Sequence, residues 1–243
     1  MHGKNVVIIP ARLDSSRLPK KALLKESGKY LIQHVYEQAL KSKLVDFVLV
    51  ATDSGEIQEA CKEFGANCVL TSRQHESGTD RVAEAVKDMY VDNIVNVQGD
   101  EPLINPAYID LLFQILSDRY PSVDYATLAC PIATQEEYLN PNVVKVVLDN
   151  SNCAIYFSRS PIPSNGFTNA LKHIGIYGYT KKGLMEFAKS AATKLEKIEK
   201  LEQLRLIENR SMIDVSTVTQ PTLGIDTRED YDKFLALIAE RRL

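Results

Sequence analysis

The sequence predicts an α/β protein whose core is a mostly parallel sheet, with a smaller antiparallel lobe of strands and helices. In the first half of its 243 residues, short apolar segments alternate with helical patterns. In the second half, strand-like segments follow one another through short connections. Alternation of strands and helices is typical of a parallel sheet covered on both faces, whereas closely spaced strands are typical of antiparallel pairing.

Four short apolar segments of the first half are the predicted parallel strands. Several are apolar enough to be buried on both faces, as strands of a parallel sheet usually are. They are NVVII at 5–9, FVLVAT at 47–52, NCVLT at 67–71 and NIVNV at 93–97.

Three amphipathic helices are predicted between these strands. Apolar residues recur there at intervals of three and four, which places one apolar stripe on each helix. The stripes consist of Ile32, Val35, Tyr36 and Ala39; of Ile57, Ala60, Cys61 and Phe64; and of Val82, Ala85, Val86 and Met89.

After about residue 120 the pattern changes to the strand-like segments VDYATLAC, VVKVVLD, CAIYFSR and HIGIYGYT. An apolar helix over 195–207 is predicted next, and the helical spacing returns in a last helix that begins after Thr227. Thr227 with Asp230 resembles a capping box in which Asp replaces Glu. We therefore treat 1–243 as a single unit, in which 1–120 and 211–243 form the α/β core and 121–210 form the smaller lobe.

Composition and charge exclude several classes of protein. The net charge is -3 and both signs are scattered, so no basic stripe for nucleic acid and no polybasic membrane segment is expected. The apolar run near the first residue ends at Pro10 and is too short for a signal peptide or a membrane span, which predicts a cytoplasmic protein. The four cysteines form no close CxxC pair, so buried reduced thiols are expected rather than zinc ligands or a disulfide.

The segment IIPARLDSSRLPKK, residues 8–21, gathers four cations where the first strand should end. They are Arg12, Arg17, Lys20 and Lys21. Ligands of open parallel sheets bind outside the carboxyl ends of the strands, and arginine and lysine both suit phosphate oxygens. The segment matches neither a Walker loop nor GxGxxG. It predicts a binding site for a polyanion such as a triphosphate, with a solvated basic loop as the alternative.

Two further strand-end segments supply carboxylates. Asp100 lies in NVQGDEP after the fourth strand, beside a glycine that permits close backbone approach, and Asp226 lies in GIDTRED before the last helix. Mg²⁺ prefers few protein carboxylates together with substrate phosphates, so the two aspartates could meet at one ion. The alternatives are an ordinary turn at Asp100 and a helix cap at Asp226.

An ordered set of motifs extends over essentially the whole chain. It runs IIPAR..SSRLP.K, ATD, SGTDR, VQGDEP, NPN.VKVV, YFSR, HIGIYGY, LEQLR and GIDT.ED. In this order the motifs resemble the 3-deoxy-manno-octulosonate (Kdo) cytidylyltransferases, also called CMP-Kdo synthetases. The PAR-type loop is shared with many nucleotidyltransferases, whereas VQGDEP, YFSR, HIGIYGY and LEQLR are more specific. The resemblance implies a Rossmann-like nucleotidyltransferase core.

The resemblance assigns roles to residues of the core. It implies that CTP is bound through the PAR loop and through SGTDR and VQGDEP, and that Mg²⁺ is held by Asp100 and Asp226. The implied CTP ligands are Ala11, Arg12, Ser15, Arg17, Lys21, Ser77, Arg81, Gln98 and Asp100. Of these, Arg12, Arg17, Lys21 and Asp100, together with Asp226, are the implied catalytic residues.

The resemblance also implies a site for the sugar acid in the smaller lobe. Its residues are Arg159, which would pair with the sugar carboxylate, and His173, Tyr177, Glu202 and Gln203. The implied reaction joins CTP and a 3-deoxy-ulosonic acid to give the CMP-sugar and pyrophosphate, which activates the sugar for lipopolysaccharide synthesis. A homodimer is expected from the family's habit and from the apolar helix at 195–207.

Three departures from the family's pattern leave the sugar acid open. Lys20 stands where glycine is usual, and Ala22 stands where proline is common. The segment after Pro163 is shorter than is typical and lacks the usual Trp-Asp-Arg. Kdo, its 8-amino analogue and another ulosonic acid therefore remain candidates. Beyond them, the alternatives are a CMP-nonulosonic (sialic-type) acid synthetase, a transferase acting on a sugar 1-phosphate, and a non-catalytic nucleotide-binding protein.

Overall fold

The computed structural model describes residues 4–15, 17–75, 77–164 and 166–240. The chain forms two compact units, one made of residues 1–111 and 222–243 and the other of residues 112–221. The divisions predicted from the sequence follow residues 120 and 210. The first of the two divisions falls inside a helix that the sequence analysis did not predict, at 106–118.

Nine strands and nine α-helices are found in the described part of the chain. The strands are β1 Asn5–Ala11, β2 Phe47–Thr52, β3 Cys68–Leu70, β4 Asn93–Asn96, β5 Tyr125–Pro131, β6 Lys145–Leu148, β7 Ala154–Ser158, β8 Leu171–Thr180 and β9 Ile213–Thr217. The helices are α1 Leu31–Ala39, α2 Gly55–Glu63, α3 Gly78–Val86, α4 Pro106–Asp118, α5 Gln135–Leu139, α6 Lys181–Lys189, α7 Lys194–Glu199, α8 Leu204–Glu208 and α9 Arg228–Glu240.

The first unit contains the predicted parallel sheet, with strand order β3-β2-β1-β4. All four strands coincide with the apolar segments named above, and the interiors of β1, β2 and β4 are buried. The predicted helices α1, α2 and α3 are present as well, although α3 ends at Val86 and not at Met89. The α/β class with a mostly parallel core sheet is therefore confirmed.

Helix α9 packs beside the segment that carries the cations. Leu18, Leu31, Ile225, Tyr231 and Phe234 form one buried apolar cluster. Burial of Leu18 and Ile225 in this cluster fixes the neighbouring cations of 17–21 and the carboxylate that follows Ile225. Two segments far apart in sequence are thereby held side by side.

The predicted capping box at the start of α9 is confirmed. The amide of Asp230 donates to Thr227 Oγ1 at 3.2 Å, and the amide of Thr227 donates to Asp230 Oδ2 at 3.0 Å. Because Thr227 caps the helix, the side chain of Asp226 is not used for that purpose.

The second unit contains the predicted antiparallel strands and one unexpected parallel pair. Strand β5 lies between β8, to which it is antiparallel, and β9, to which it is parallel. Strand β6 is antiparallel to both β7 and β8. Strand β9 was not predicted, so the lobe is mixed and not purely antiparallel.

The prediction of one apolar helix over 195–207 was wrong. Helix α7 ends at Glu199, and Lys200 adopts the left-handed conformation with φ of 56°, after which α8 begins at Leu204. The apolar stripe is divided accordingly, since Ile198 is 64% exposed whereas Leu201 and Leu204 are buried. A left-handed residue ends the helix because its carbonyl no longer follows the helical hydrogen-bond direction.

Two other expectations concern the cysteines and the membrane. All four cysteines are free thiols, and Cys61, Cys130 and Cys153 are buried while Cys68 is partly exposed. Among the described residues, no helix is both long and apolar enough to cross a membrane.

Candidate active site

A cavity of about 240 Å³ opens at the carboxyl ends of β1 and β4 in the first unit. Strand-end cavities of parallel sheets are the usual ligand sites of such folds. Among the residues that line it are six of the nucleotide ligands inferred from the sequence: Ala11, Arg12, Ser15, Lys21, Gln98 and Asp100. Ser16, which lies in the same loop, is outside the described residues.

Gly99 allows the loop after β4 to pack directly on the end of β1. A β-carbon added at Gly99 would lie 2.8 Å from the carbonyl oxygen of Pro10 and 3.4 Å from Ile32 Cδ1. Side chains do not fit at such distances, so only glycine permits this approach. The close contact places the neighbouring residues Gln98 and Asp100 at the wall of the cavity.

The two aspartates proposed as metal ligands lie around one ammonium group. Lys21 Nζ is 2.7 Å from Asp100 Oδ2 and 3.4 Å from Asp226 Oδ1, and it also donates to the carbonyl oxygen of Ile225 at 2.6 Å. Arg17 Nη2 lies 3.0 Å from Asp226 Oδ1, although Arg17 does not line the cavity. The structure thus brings Arg17, Lys21, Asp100 and Asp226 together at one edge of the sheet.

This arrangement suits a divalent cation held by few protein ligands. The Lys21 ammonium lies between two carboxylates, at a position whose surroundings already attract positive charge. Within the described ranges, no group of three or more His, Cys, Asp or Glu residues is positioned to hold a metal. A cation at Asp100 and Asp226 would therefore depend on substrate oxygens or water for its remaining ligands, as Mg²⁺ commonly does.

Two contacts fasten the loop after β4 to the segment before α9. The amide of Ile225 donates to the carbonyl oxygen of Asp100 at 2.9 Å, and Thr222 Oγ1 donates to Glu101 Oε1 at 3.2 Å. Glu101 is buried, and burial, assisted by the negative charge of Asp100, raises the pKa of its carboxyl to about 8. Glu101 is therefore mainly neutral at pH 7.

The SGTDR segment begins α3 beside β1. Ser77 caps the helix, since its Oγ accepts from the amide of Asp80 at 3.0 Å. Gly78 lines the cavity. Arg12 Nη2 donates to the carbonyl oxygen of His75 at 2.9 Å. This hydrogen bond joins Arg12 to the segment that precedes α3.

Arg81, which the resemblance assigns to cytosine or ribose recognition, lies in the interior of the first unit. Its side chain is completely buried, and it does not line the cavity. Its Nη2 pairs with Asp53 Oδ2 at 2.6 Å, and its Nη1 donates to Thr71 Oγ1. Asp53 follows β2 and Thr71 follows β3, so Arg81 connects the carboxyl ends of these two strands.

Asp53 and Asn96 are site-supporting residues that the sequence analysis did not single out. Asp53 belongs to the ATD motif and follows a buried strand, which is the same signal that identified Asp100. Asn96 is 1% exposed, and its Oδ1 lies 3.5 Å from Gln98 Nε2. A polar residue within an otherwise apolar strand is the signal that could have identified Asn96.

The residues inferred to bind the sugar acid belong to the second unit. His173 and Tyr177 lie on β8 with their ring centroids 5.2 Å apart, and Tyr177 stacks on Tyr179 at 6.0 Å. Glu202 and Gln203 lie between α7 and α8, and Gln203 is buried. Burial, together with the charges of Tyr179 and Glu202, raises the pKa of the Tyr177 hydroxyl well above its ordinary value.

His173 is held as a neutral ring. Desolvation by burial lowers its pKa to about 3, and its Nε2 lies 2.9 Å from Thr127 Oγ1. Thr127 Oγ1 also lies 2.7 Å from the carbonyl oxygen of Ile176, which can only accept. The single hydroxyl proton therefore goes to Ile176, so His173 Nε2 donates to Thr127 and Nδ1 is left as an acceptor. Thr127, another residue missed from sequence, is buried within the apolar strand β5.

Arg159 follows β7 and is held by two backbone carbonyls. Its Nε donates to the carbonyl oxygen of Glu199 at 3.1 Å, and its Nη1 donates to that of Pro141 at 3.1 Å. Its amide donates to Glu199 Oε2 at 3.2 Å. The shortened loop after Pro163 includes Asn165, which lies outside the described residues.

Comparison with known proteins relates this chain to nucleotidyltransferases. Residues 6–213 match the family model described as Cytidylyltransferase. The 3-deoxy-manno-octulosonate cytidylyltransferase of Geobacter sulfurreducens is 46% identical over 242 residues, which cover 94% of this chain and 96% of that protein. The protein of the same name from Neisseria meningitidis serogroup C is 46% identical over 248 residues, covering 96% and 97%.

Solved structures agree with these sequence relatives. A structure described as CMP:2-keto-3-deoxy-manno-octonic acid synthetase complexed with CTP superposes with a TM-score of 0.92 at 41% identity, covering 98% of this chain and 99% of that one. A cytidylyltransferase from Leptospira borgpetersenii has a TM-score of 0.68 at 19% identity, covering 98% and 88%, and shares the fold.

Proposed function

Because the chain belongs to the 3-deoxy-manno-octulosonate cytidylyltransferase family, we propose that it joins CTP to a 3-deoxy-ulosonic acid, with release of pyrophosphate. The observation that carries this proposal is the position of Lys21 between Asp100 and Asp226 at the strand-end cavity. Cationic side chains suit the oxygens of a triphosphate, and carboxylates suit a divalent cation. The CMP-sugar product would supply lipopolysaccharide synthesis.

The proposed reaction is a single displacement at phosphorus. The anomeric hydroxyl oxygen of the sugar acid forms a bond to the α-phosphorus of CTP. The bond from that phosphorus to the bridging oxygen breaks, its electrons leave with pyrophosphate, and the hydroxyl proton is lost to solvent or a nearby oxygen. Such a transfer depends on alignment and charge neutralisation more than on covalent participation of the protein.

The residues of the first unit would bind the triphosphate and stabilise the leaving group. Arg12, Arg17 and Lys21 would neutralise charge that grows on the leaving oxygens, and Ala11 and Ser15 would offer polar atoms of the loop. Gln98 would contact the base or ribose from the wall of the cavity. Lys21 would exchange its contact with Asp100 for phosphate oxygens when CTP and a cation bind.

Asp100 and Asp226 would hold Mg²⁺. When bound, Mg²⁺ supplies charge neutralisation at phosphate oxygens and lowers the pKa of a coordinated hydroxyl. The role of the chain itself is to hold two carboxylates at one point, through the backbone contact between Ile225 and Asp100 and through the burial of Ile225.

The second unit would recognise the sugar acid. Arg159 would pair with the carboxylate, for which a guanidinium is better suited than an ammonium. His173 Nδ1 would accept from a sugar hydroxyl because the ring stays neutral, and Tyr177 would donate as a protonated phenol. Glu202 and Gln203 would contact hydroxyls of the ring and tail.

We further propose that the enzyme acts in the cytoplasm, where CTP is available, as a homodimer. Ile155 on β7 and Ile198 on α7 are exposed by 55% and 64%, and both belong to the second unit. A contact between two copies that covered these side chains would remove apolar surface from water. Sedimentation of the parent and of Ile198→Glu tests this assignment, since a dimer through α7 should dissociate in the variant.

The decisive experiment is pyrophosphate release with each nucleoside triphosphate against a panel of sugar acids. We expect activity with CTP and an eight-carbon ulosonic acid. The panel includes Kdo and its 8-amino analogue, because the shortened segment after Pro163 should alter selection at the far end of the sugar. We expect pyrophosphate release with the amino analogue to be at least as fast as with Kdo. The carboxylate of Glu202 would pair with the ammonium of the analogue.

Each outcome of the panel decides between named alternatives. A strong preference for Kdo, unchanged in Glu202→Gln, would refute selection at the tail of the sugar. Activity with nine-carbon acids alone would assign the protein to the sialic-type synthetases. No pyrophosphate release with any acid, with CTP still bound, would indicate a nucleotide-binding protein without catalysis.

A further inference from the structure

Lys145 is a completely buried lysine in the second unit that the proposed reaction does not use. It begins β6, and its ammonium donates to the carbonyl oxygens of Asn140 at 3.0 Å, Val143 at 2.6 Å and Arg159 at 2.7 Å. All three donor positions of the ammonium are occupied by neutral carbonyls. No carboxylate of the described residues forms an ion pair with it.

A buried ammonium without an ion-pair partner is unfavourable unless hydrogen bonds replace those that it makes to water. Burial, together with the charge of Arg159, lowers the pKa of the Lys145 ammonium, whereas the charge of Glu199 acts to raise it. Glu199 is itself in contact with the amide of Arg159 and the hydroxyls of Tyr156 and Ser158. Lys145 and Glu199 therefore both contact the backbone of Arg159.

Lys145 contacts both the backbone of Arg159 and the turn that contains Pro141, an acceptor of Arg159. Lys145 binds the backbone carbonyl of Arg159 directly, and it also holds the carbonyls of Asn140 and Val143 on either side of Pro141. Pro141 in turn accepts from Arg159 Nη1 at 3.1 Å. One ammonium therefore fixes both the backbone of Arg159 and the turn that orients its guanidinium.

We propose that Lys145 is a positioning residue that presets Arg159 for the carboxylate of the sugar acid. Of the Arg159 nitrogens, Nε and Nη1 are committed to the carbonyls of Glu199 and Pro141, whereas Nη2 donates to no acceptor among the described residues. The preset orientation leaves Nη2 for the substrate. This inference rests on the proposed role of Arg159.

The test compares Lys145→Met with the parent and with Lys172→Met. Lys172 is the β8 residue that faces Lys145 in the strand register, its side chain is 14% exposed, and it pairs with Glu137 and not with Arg159. In Lys145→Met we expect the KM for the sugar acid to rise by about ten-fold, with the KM for CTP unchanged. Lys172→Met should leave the sugar KM unchanged.

A double-mutant cycle separates positioning from a general structural role. If Lys145 acts through Arg159, Lys145→Met should have little further effect on the sugar KM in an Arg159→Ala background. Equal effects of Lys145→Met in both backgrounds would overturn the inference. An Arg159→Ala variant with the parent's sugar KM would instead refute the proposed role of Arg159 itself.

Pro141→Gly provides a second measurement if Lys145→Met does not fold. Pro141 is exposed, so its replacement leaves the core intact while it loosens the turn that Lys145 holds. We expect this variant also to raise the sugar KM selectively. A folded Pro141→Gly variant with parent kinetics for the sugar would contradict the proposal.

Discussion

The ammonium of Lys21 lies 2.7 Å from Asp100 Oδ2 at the carboxyl edge of the parallel sheet. The same ammonium lies 3.4 Å from Asp226 Oδ1, which is 205 positions away along the chain. This relationship connects the cationic loop after β1 with both carboxylates proposed to hold a metal ion. The first predictions concern these three residues.

Asp100→Asn should reduce turnover by at least about a hundred-fold while the fold stays intact, because an amide cannot supply the negative charge that a cation needs. Activity of the parent should disappear on chelation and return with Mg²⁺. Initial rates across a Mg²⁺ titration provide the measurement, and circular dichroism reports the fold. The matched control is Glu56→Gln, an exposed carboxylate paired with Lys20, which should keep parent activity. An Asp100→Asn variant with parent turnover would show that Asp100 is not a metal ligand.

Lys21→Ala should raise the KM for CTP and lower kcat together, because the ammonium would stabilise charge on the leaving pyrophosphate. Arg17→Ala and Arg12→Ala should likewise raise the KM for CTP and lower kcat. Lys20→Ala should have a smaller effect, since Lys20 Nζ pairs with Glu56 at 2.6 Å. Steady-state kinetics with varied CTP measures these changes. A larger defect in Lys20→Ala than in Lys21→Ala would mean that the register of the loop is assigned wrongly.

Lys20→Gly should be more stable than Lys20→Ala by up to about 1 kcal/mol in free energy of unfolding. Lys20 adopts a left-handed conformation with φ of 52°, which glycine accepts without steric strain. Both variants lose the ion pair with Glu56, so their difference isolates the backbone. Urea unfolding at pH 7 measures it. Equal midpoints and slopes for the two variants would argue against strain at this position.

Gly99→Ala should destabilise the protein by about 1–3 kcal/mol and weaken CTP binding, because the added carbon would lie 2.8 Å from the carbonyl oxygen of Pro10. Gly55→Ala is the control, since a β-carbon there meets no atom within 4 Å. Thermal unfolding and CTP titration of both variants provide the comparison. If Gly99→Ala matched Gly55→Ala in both measurements, the close packing of this loop on β1 would be refuted.

CTP should be preferred over UTP, since a site that pairs with the cytosine amino group leaves acceptors unpaired against uracil. Each lost hydrogen bond is worth roughly 1–3 kcal/mol in kcat/KM. Gln98→Ala should reduce the ratio of kcat/KM for CTP to that for UTP. Gln33→Ala, which removes a contact with Glu37 on α1, should leave this ratio unchanged. Equal kcat/KM for the two nucleotides in the parent would exclude Gln98 and the SGTDR segment from base recognition.

As the pH falls, the free energy of unfolding of the parent should decrease more than that of the His173→Gln variant. Burial lowers the pKa of folded His173 to about 3, below the roughly 6.5 of an unfolded histidine, so the unfolded chain binds the proton first. The parent should lose up to about 1.4 kcal/mol per pH unit from this group as pH falls below 6.5. Urea unfolding between pH 7 and pH 4.5 checks this. A constant difference between parent and variant over that range would contradict the lowered pKa.

The sequence by itself determined the strands and most helices of the first unit, and with them the edge where Asp100 and the cationic loop emerge. Apolar periodicity is a local property that reports which face of an element is buried. It also located the capping box of Thr227 and Asp230, because both partners lie within one turn of a helix. The motif order, which extends over both units, identified the family.

Only the tertiary structure decided what each functional side chain contacts. The ion pair of Arg81 with Asp53 joins two segments that no local pattern relates. The predicted helix over 195–207 is interrupted at Lys200, which has a left-handed backbone conformation. The apolar spacing of three and four continues through this turn, and that spacing does not report backbone angles. The ammonium of Lys145 likewise binds backbone carbonyls of three residues, which no sequence pattern indicates. Periodicity shows that a residue is buried, whereas its neighbours are fixed by packing between distant segments, as between Lys21 and Asp226.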